Sequence, residues 1–138
     1  MNVNHTILCA DDDPDDLQML HEAIQSIDGR YRIIEAGDGT IALAQLSELR
    51  KNNTLPCLIV LDINMPKMDG KQTFLRIKND PELSFIPVVI FSTSSSNLDK
   101  IFFARENVEY ITKPIQYPHL LSVANKLLSY CRERRENE

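Results

Sequence analysis

Acidic residues stand directly behind two short apolar runs of this chain, and a lysine stands behind a third. The run Leu58-Ile-Val-Leu-Asp62 ends in an aspartate, Thr6-Ile-Leu-Cys-Ala10 is followed by Asp11 to Asp13, and Tyr110-Ile-Thr-Lys113 ends in the lysine. Short apolar runs rich in β-branched residues are typical of strands buried on both faces, and open parallel sheets bind ligands at the carboxyl ends of such strands. Carboxylates from two strands beside one lysine therefore predict a metal-assisted phosphoryl site.

The chemistry of these side chains indicates a divalent cation and an acyl phosphate. Carboxylates held close together raise one another's pKa by repulsion unless a cation screens them, and Mg²⁺ prefers carboxylate, carbonyl and water oxygens. With that charge screened, Asp62 is placed to attack phosphorus, as aspartates do in enzymes that form an aspartyl phosphate. Lys113 is the expected counter-charge, and Ser92, at the end of the fourth apolar run, is the expected hydroxyl donor.

Strand-like and helix-like segments alternate along the whole chain. The predicted strands cover residues 6–10, 31–36, 57–61, 88–91 and 108–112, and the predicted helices cover 14–27, 40–51, 71–79, 98–105 and 118–132, with Asn97 as the expected cap of the fourth helix. This alternation is typical of βα units with right-handed crossovers around a parallel sheet. We expect an α/β fold, a doubly wound five-stranded parallel sheet in the order 2-1-3-4-5, which forms a flavodoxin-like three-layer sandwich. Strands 1 and 3, which carry the acids, are neighbours in that order.

Composition and length narrow the class of protein. The 138 residues predict one domain with a core over about residues 6–130 and a charged tail over 132–138. A net charge of −5 argues against a nucleic-acid surface. No apolar stretch approaches the roughly 20 residues that span a bilayer, and no signal peptide is expected, so we expect a soluble cytoplasmic protein. Three cysteines without paired spacing favour reduced, buried thiols over a disulfide framework.

Taken in order, these motifs resemble the receiver domains of two-component response regulators, and the resemblance covers about residues 6–130. It depends on Asp11-Asp12, on the stretch from Leu61 to Gly70, on Phe91-Ser92 and on Tyr110-Ile-Thr-Lys-Pro114. The chain is most similar to stand-alone, chemotaxis-regulator-like receivers, and its segment 81–87 resembles the phytochrome-associated subgroup. One departure is Asn107, in a stretch where the family usually has a small residue or glycine before the last strand; asparagine can take a left-handed turn there.

The resemblance implies a role for each acid of the site. Asp62 would be the phosphoacceptor. Asp12 would be a direct Mg²⁺ ligand and Asp11 would act largely through a water. The backbone carbonyl of Asn64 would complete the protein ligands.

The resemblance also implies roles for the remaining site residues. Lys113 would pair with the phosphoryl oxygens and would precede a cis peptide bond to Pro114. Ser92 would be the switch hydroxyl, and Tyr110 would be the ring that changes rotamer when Ser92 moves.

Several of these residues also have an ordinary structural explanation. Acids stabilise the first turn of a helix, which explains Asp13, Asp15 and Asp16 better than metal binding does. Asp69-Gly70 is best explained as a turn that starts a helix. Phe102 and Phe103 cannot both point into one core, so one ring either leans under a neighbouring loop or forms part of a partner surface.

Three functions remain open from the sequence. In the first, the chain takes a phosphoryl group from a sensor histidine kinase or a histidine phosphotransfer protein and signals through a downstream protein partner or by onward phosphotransfer. A homodimer on activation is an open question. We expect no binding to nucleic acid or to a membrane. It would catalyse only its own phosphorylation and dephosphorylation. The second is a haloacid-dehalogenase-like phosphatase, which needs an acid two residues after the nucleophile, where Asn64 stands. The third is a phosphorylation-independent pseudo-receiver.

Overall fold

A computed structural model describes residues 5–136, with side chains through residue 132, and shows the expected α/β architecture. Five parallel strands form one sheet in the order β2-β1-β3-β4-β5. In chain order the elements are β1 (Thr6–Ala10), α1 (Pro14–Ile27), β2 (Arg32–Ala36), α2 (Gly39–Lys51), β3 (Leu58–Leu61), α3 (Gly70–Lys78), β4 (Val88–Ser92), α4 (Asn97–Arg105), β5 (Glu109–Thr112) and α5 (Tyr117–Glu136). The start of the chain, where we expect no signal peptide, and the end of the charged tail lie outside the described residues. Among the described helices none is long and apolar enough to cross a membrane.

Apolar side chains cover both faces of the sheet, because alternate residues of each strand point to opposite sides. In β1, Ile7 and Cys9 join the cluster under α1 and α5, whereas Leu8 and Ala10 join the cluster under α2, α3 and α4. β3 is buried along its whole length. The central strands are therefore rigidly packed from both sides, and their carboxyl ends hold whatever follows them in fixed positions.

The helix starts follow local capping chemistry, with one correction. Asp13, Asp38 and Asp69 each cap a helix by accepting hydrogen bonds from its first backbone amides. The sequence predicts Asn97 as the cap of α4, but in the structure Ser96 is the cap: its hydroxyl accepts from the Asp99 amide, so Asn97 is the first helical residue. Both residue types cap well, and only the path of the preceding loop decides between them.

Two further expectations are wrong and one is confirmed. α5 continues to Glu136, beyond the expected end near residue 132, because the arginines and glutamates of residues 132–136 have high helix propensity and can extend a helix that is already formed. No described peptide bond is cis, so Lys113–Pro114 is trans, the form that X–Pro bonds prefer by about 0.5–1 kcal/mol. Asn107 has φ 58°, the left-handed conformation expected for it.

The two adjacent phenylalanines of α4 differ in burial, because neighbouring positions of a helix point in different directions. Phe103 is fully buried, and Phe102 is half-buried with its ring edge-to-face against Phe74, at a centroid distance of 6.3 Å. The Lys71 ammonium lies 4.8 Å from the Phe102 centroid. Phe103 is therefore core, and only Phe102 can contribute to a surface.

The cysteines correct a sequence expectation. Cys57, just before β3, and Cys131, on the inner face of α5, form a disulfide with their Cα atoms 5.1 Å apart. The two positions are 74 residues apart in sequence, so no local spacing could indicate the pair. Cys9 is a free buried thiol, and burial raises its pKa.

Breaking the disulfide is expected to destabilise the protein. The bond removes loop-closure entropy from the unfolded chain, so a reductant should lower the free energy of unfolding by about 2–4 kcal/mol. Urea unfolding of the wild type with and without a phosphine reductant measures this difference. The double variant Cys57→Ala, Cys131→Ala is the control, because the reductant should not change its midpoint. Equal midpoints for reduced and oxidised wild type would contradict the expectation.

Candidate functional site

The register of the two central strands places the first two acids side by side. Ala10 of β1 is paired with Leu61 of β3, and each strand continues directly into an aspartate. The Asp62 amide donates to the Ala10 carbonyl at 2.9 Å, so ladder bonding extends to the base of the site. The Asp11 amide donates to the Ala36 carbonyl at 2.9 Å. Both aspartates thus start from backbone that the sheet holds in place.

Three carboxylates converge at this edge. One oxygen from each of Asp11, Asp12 and Asp62 lies within 4.8 Å of the others. Asp11 and Asp62 are buried and Asp12 is exposed, so the group is reached from solvent on the Asp12 side. An all-oxygen, acidic donor set of this kind fits a hard divalent cation such as Mg²⁺ or Mn²⁺.

Lys113 lies against these carboxylates. Its amide donates to the Ser92 carbonyl at 2.9 Å, which anchors the residue to the end of β4. Its ammonium donates to Asp11, to Asp62 at 3.2 Å and to Asp16 at 2.8 Å. The Lys113 side chain is only 8% exposed, so its contacts with the buried Asp11 and Asp62 are shielded from water, whereas the contact with Asp16 is partly open to solvent.

Burial and neighbouring charges shift the pKa values of Asp11 and Lys113. Burial raises the pKa of Asp11 to about 6, against the lowering effect of its hydrogen bond from Lys113, and the nearby charge of Asp62 adds to the increase. Burial acts to lower the pKa of Lys113, but its hydrogen bonds to Asp11 and Asp16 more than offset this and raise it. Lys113 is therefore charged at neutral pH, and Asp11 is close to titrating until a further positive charge arrives.

The loop after β3 approaches the site so closely that one position requires glycine. The Gly70 amide donates to the Ile63 carbonyl at 2.8 Å, and a Cβ at Gly70 would lie 2.2 Å from the Asp62 carbonyl oxygen. Asp69 and Gln72 form a capping box that starts α3 at this point, as the expected turn requires. The Ile63 amide donates to Asp62 Oδ1 at 2.7 Å, which orients that carboxylate. Asn64, whose carbonyl is the expected fourth ligand, is exposed in the same loop.

Ser92 and Tyr110 meet at the loop between β4 and α4. Ser92 is fully buried, and its hydroxyl accepts from the Ser94 amide at 3.2 Å. The Tyr110 hydroxyl donates to the Ser94 carbonyl at 2.7 Å, with the ring half-buried beside Phe103. Ser94 thus links the two predicted switch residues.

The structure brings together the acids and the lysine that the sequence placed at strand ends, and it adds one residue. Asp11, Asp12, Asp62 and Lys113 form one cluster, whereas Asp16 reaches the same lysine from the first turn of α1. The sequence offers no local signal for this contact, because an acid in a first helical turn needs no other explanation.

Comparisons with known proteins identify the family of this arrangement. The model of the response regulator receiver domain family matches residues 7–125. Response regulator Rcp1 of Synechocystis sp. is 31% identical over 132 residues, which cover 94% of this chain and 90% of that protein. The phosphorylated cyanobacterial phytochrome response regulator RcpA has a structure with a TM-score of 0.80 at 33% identity, covering 92% of this chain and 93% of that one. The Mn²⁺-bound form of Rcp1 gives a TM-score of 0.79 at 31% identity, covering 91% and 92%.

Substitution of Gly70 tests the close approach to Asp62. Gly70→Ala should lower the free energy of unfolding by about 1–3 kcal/mol, because the added methyl group displaces the Asp62 backbone. It should also weaken binding of Mg²⁺. Gly37→Ala is the matched control, because a Cβ there meets nothing within 4 Å. Chemical denaturation and calorimetric titration with Mg²⁺ measure both effects, and a Gly70→Ala protein as stable as Gly37→Ala would contradict the account.

Removal of one carboxylate tests the fit to a cation. Asp12→Asn should weaken binding of Mg²⁺ and of Mn²⁺ by on the order of tenfold, because the expected ligand loses its charge. Asp13→Asn removes the same charge one residue away while keeping the cap of α1, so it should bind both ions within about twofold of the wild type. Calorimetric titration of the three proteins compares them. Equal losses in the two variants would mean that net charge alone, and no coordination by Asp12, governs the affinity.

Proposed function

The chain belongs to the receiver domain family of response regulators, and from this membership and the geometry of the cluster we infer that Asp62 is its phosphoacceptor. Phosphoacceptance is the function that this family and its stand-alone relatives support. The observation that carries the assignment to Asp62 is its contact with Lys113 at 3.2 Å, in a cluster where Asp62 and Asp11 are buried and Asp12 is open to solvent. Asp62 is the acid at the end of the central strand, where the carboxyl group is oriented by the Ile63 amide.

The proposed transfer forms one bond and breaks one. An oxygen of Asp62 attacks phosphorus while the bond from phosphorus to a phosphohistidine nitrogen breaks, and the imidazole leaves after taking up a proton. Lys113 offsets the negative charge on the phosphoryl oxygens, and the buried Ser92 hydroxyl is the donor that can turn towards them. In hydrolysis, water attacks phosphorus and the carboxylate of Asp62 is restored.

Receiver domains bind a divalent metal, and the carboxylates of this chain suit Mg²⁺. Asp12 and Asp62 would hold the ion directly, with Asp11 acting through water and Asn64 through its backbone carbonyl. When bound, the ion neutralises charge on the transferring phosphoryl group. We propose Mg²⁺ as the physiological ion; the Rcp1 structure is of a Mn²⁺-bound form, and Mn²⁺ takes the same kind of oxygen ligands.

Receiver domains interact with histidine kinases or phosphotransfer proteins, and we propose such a donor for this chain in the cytoplasm. A phytochrome-like sensor kinase is the first candidate, because RcpA is a phytochrome response regulator. We propose that residues 1–138 act as a single receiver domain without turnover of a free substrate. Output would pass to a downstream protein through contacts or onward transfer, and self-association on phosphorylation is one such contact.

Loss of the Asp62 carboxylate tests the phosphoacceptor. With a small phosphodonor such as acetyl phosphate and Mg²⁺, the wild type should gain one phosphoryl group, and Asp62→Asn should gain none because an amide is a poor nucleophile. Intact-mass spectrometry measures the gain. Asp69→Asn is the matched control, since it changes an aspartate of the same loop while keeping the cap of α3.

Two outcomes would contradict the assignment. If Asp62→Asn gained phosphate as the wild type does, another residue would be the acceptor. If the wild type gained none in the presence of Mg²⁺ while remaining folded, the chain would be a pseudo-receiver.

A further inference from the structure

The Lys113 ammonium has its full set of partners in the cluster, and one of them is unexplained. An ammonium has three N–H donors, and Lys113 contacts three carboxylates, those of Asp11, Asp16 and Asp62. Asp11 and Asp62 belong to the group that fits a cation. Asp16 lies outside that group.

The position of Asp16 has a local explanation, but its contact does not. The Asp13 side chain accepts from the amides of Asp15 and Asp16, at 3.0 Å and 3.3 Å, and so starts α1. An acid in this turn is favourable at the positive end of the helix, which accounts equally for Asp15 and Asp16. Yet only Asp16 turns towards Lys113, at 2.8 Å and with its side chain 35% exposed. Within residues 5–132, Asp15 forms no ion pair and is exposed.

The other two partners of Lys113 change during the proposed reaction. When Asp62 becomes an acyl phosphate, it loses its carboxylate charge, and Asp11 faces the cation. Asp16 is the one acceptor of Lys113 that neither becomes phosphorylated nor faces the cation in the proposed reaction. Lys113 has a long flexible stem, and holding it in one rotamer costs conformational entropy that a lasting acceptor offsets.

We propose that Asp16 is a positioning residue, which holds the Lys113 ammonium at the site while Asp62 is phosphorylated and dephosphorylated. This inference rests on the proposed function of Asp62 as phosphoacceptor. Asp16 acts through Lys113 and lies outside the group of carboxylates that fits a cation. A role in positioning requires a hydrogen-bond acceptor at this place, whereas a role in net charge requires only the negative charge.

Two substitutions separate these roles. Asp16→Asn keeps an oxygen that can accept from Lys113 but removes the charge, and Asp16→Ala removes both. Asp15→Asn and Asp15→Ala make the same changes on the neighbouring acid, which lacks the contact. All four variants keep Asp13 as the cap of α1, and thermal unfolding checks that they fold.

The first readout is the rate of labelling by acetyl phosphate at saturating Mg²⁺. Asp16→Ala should lower the maximal rate by about fivefold to tenfold, the effect of losing one partly exposed hydrogen bond, whereas Asp16→Asn should stay within about twofold of the wild type. Both Asp15 variants should match the wild type. If Asp16→Asn were as slow as Asp16→Ala, charge and not positioning would explain the effect. If both Asp16 variants matched the wild type, Asp16 would be only a helix-start acid.

The second readout observes Lys113 directly. A buried ammonium exchanges its protons slowly enough for ¹⁵N-resolved NMR, and the Lys113 signal is assigned by its loss in Lys113→Met. The signal should persist in Asp16→Asn and broaden away in Asp16→Ala, and its persistence in Asp16→Ala would overturn the proposal. A wild type without Asp62-dependent labelling would overturn the proposed function instead, and the NMR signal would still decide whether Asp16 holds Lys113.

Discussion

Like charges crowded at one edge of a sheet are the constraint on which this structure depends. The carboxylates of Asp11, Asp12, Asp16 and Asp62 surround the site, and Lys113 touches three of them. Because Asp11 and Asp62 are buried, water screens their repulsion poorly, and burial raises the pKa of Asp11. One ammonium leaves this group with a net negative charge. That excess is the electrostatic reason why a divalent cation suits the site.

Such a group of charges can persist only on a rigid base, and the parallel sheet supplies it. The Ala10–Leu61 pair sets the acids of β1 and β3 side by side, and the Lys113 amide bonds to the last residue of β4. Apolar layers on both faces prevent the strands from shifting apart to relieve the repulsion. The close approach of Gly70 to the Asp62 carbonyl then fixes the loop that follows β3. The free energy of packing thereby holds together groups that would otherwise separate.

What could be predicted from the sequence is what local rules and strand periodicity determine. The five strands, their order, and the cluster at the ends of β1 and β3 follow from apolar runs and the residues behind them. The pairing of Cys57 with Cys131 could not be predicted in this way. The two residues are 74 positions apart, and their contact depends on where α5 crosses the sheet. The choice of Ser96 over Asn97 as a cap depends on the path of one loop, which residue preferences do not specify.

Asp16 shows why a complete site is harder to predict than the edge that carries it. A search for polar residues that directly follow strands finds Asp11, Asp62 and Lys113. It cannot find Asp16, because that side chain reaches the site from a helix. Residue type gives no help either, because the helix start already accounts for an acid at this position. The Asp16 carboxylate both lies at the positive end of α1 and accepts from the Lys113 ammonium, because the first turn of α1 begins beside the site. The partners of a buried charge must therefore be identified in space, where Lys113 has three acceptors and the strand ends account for only two.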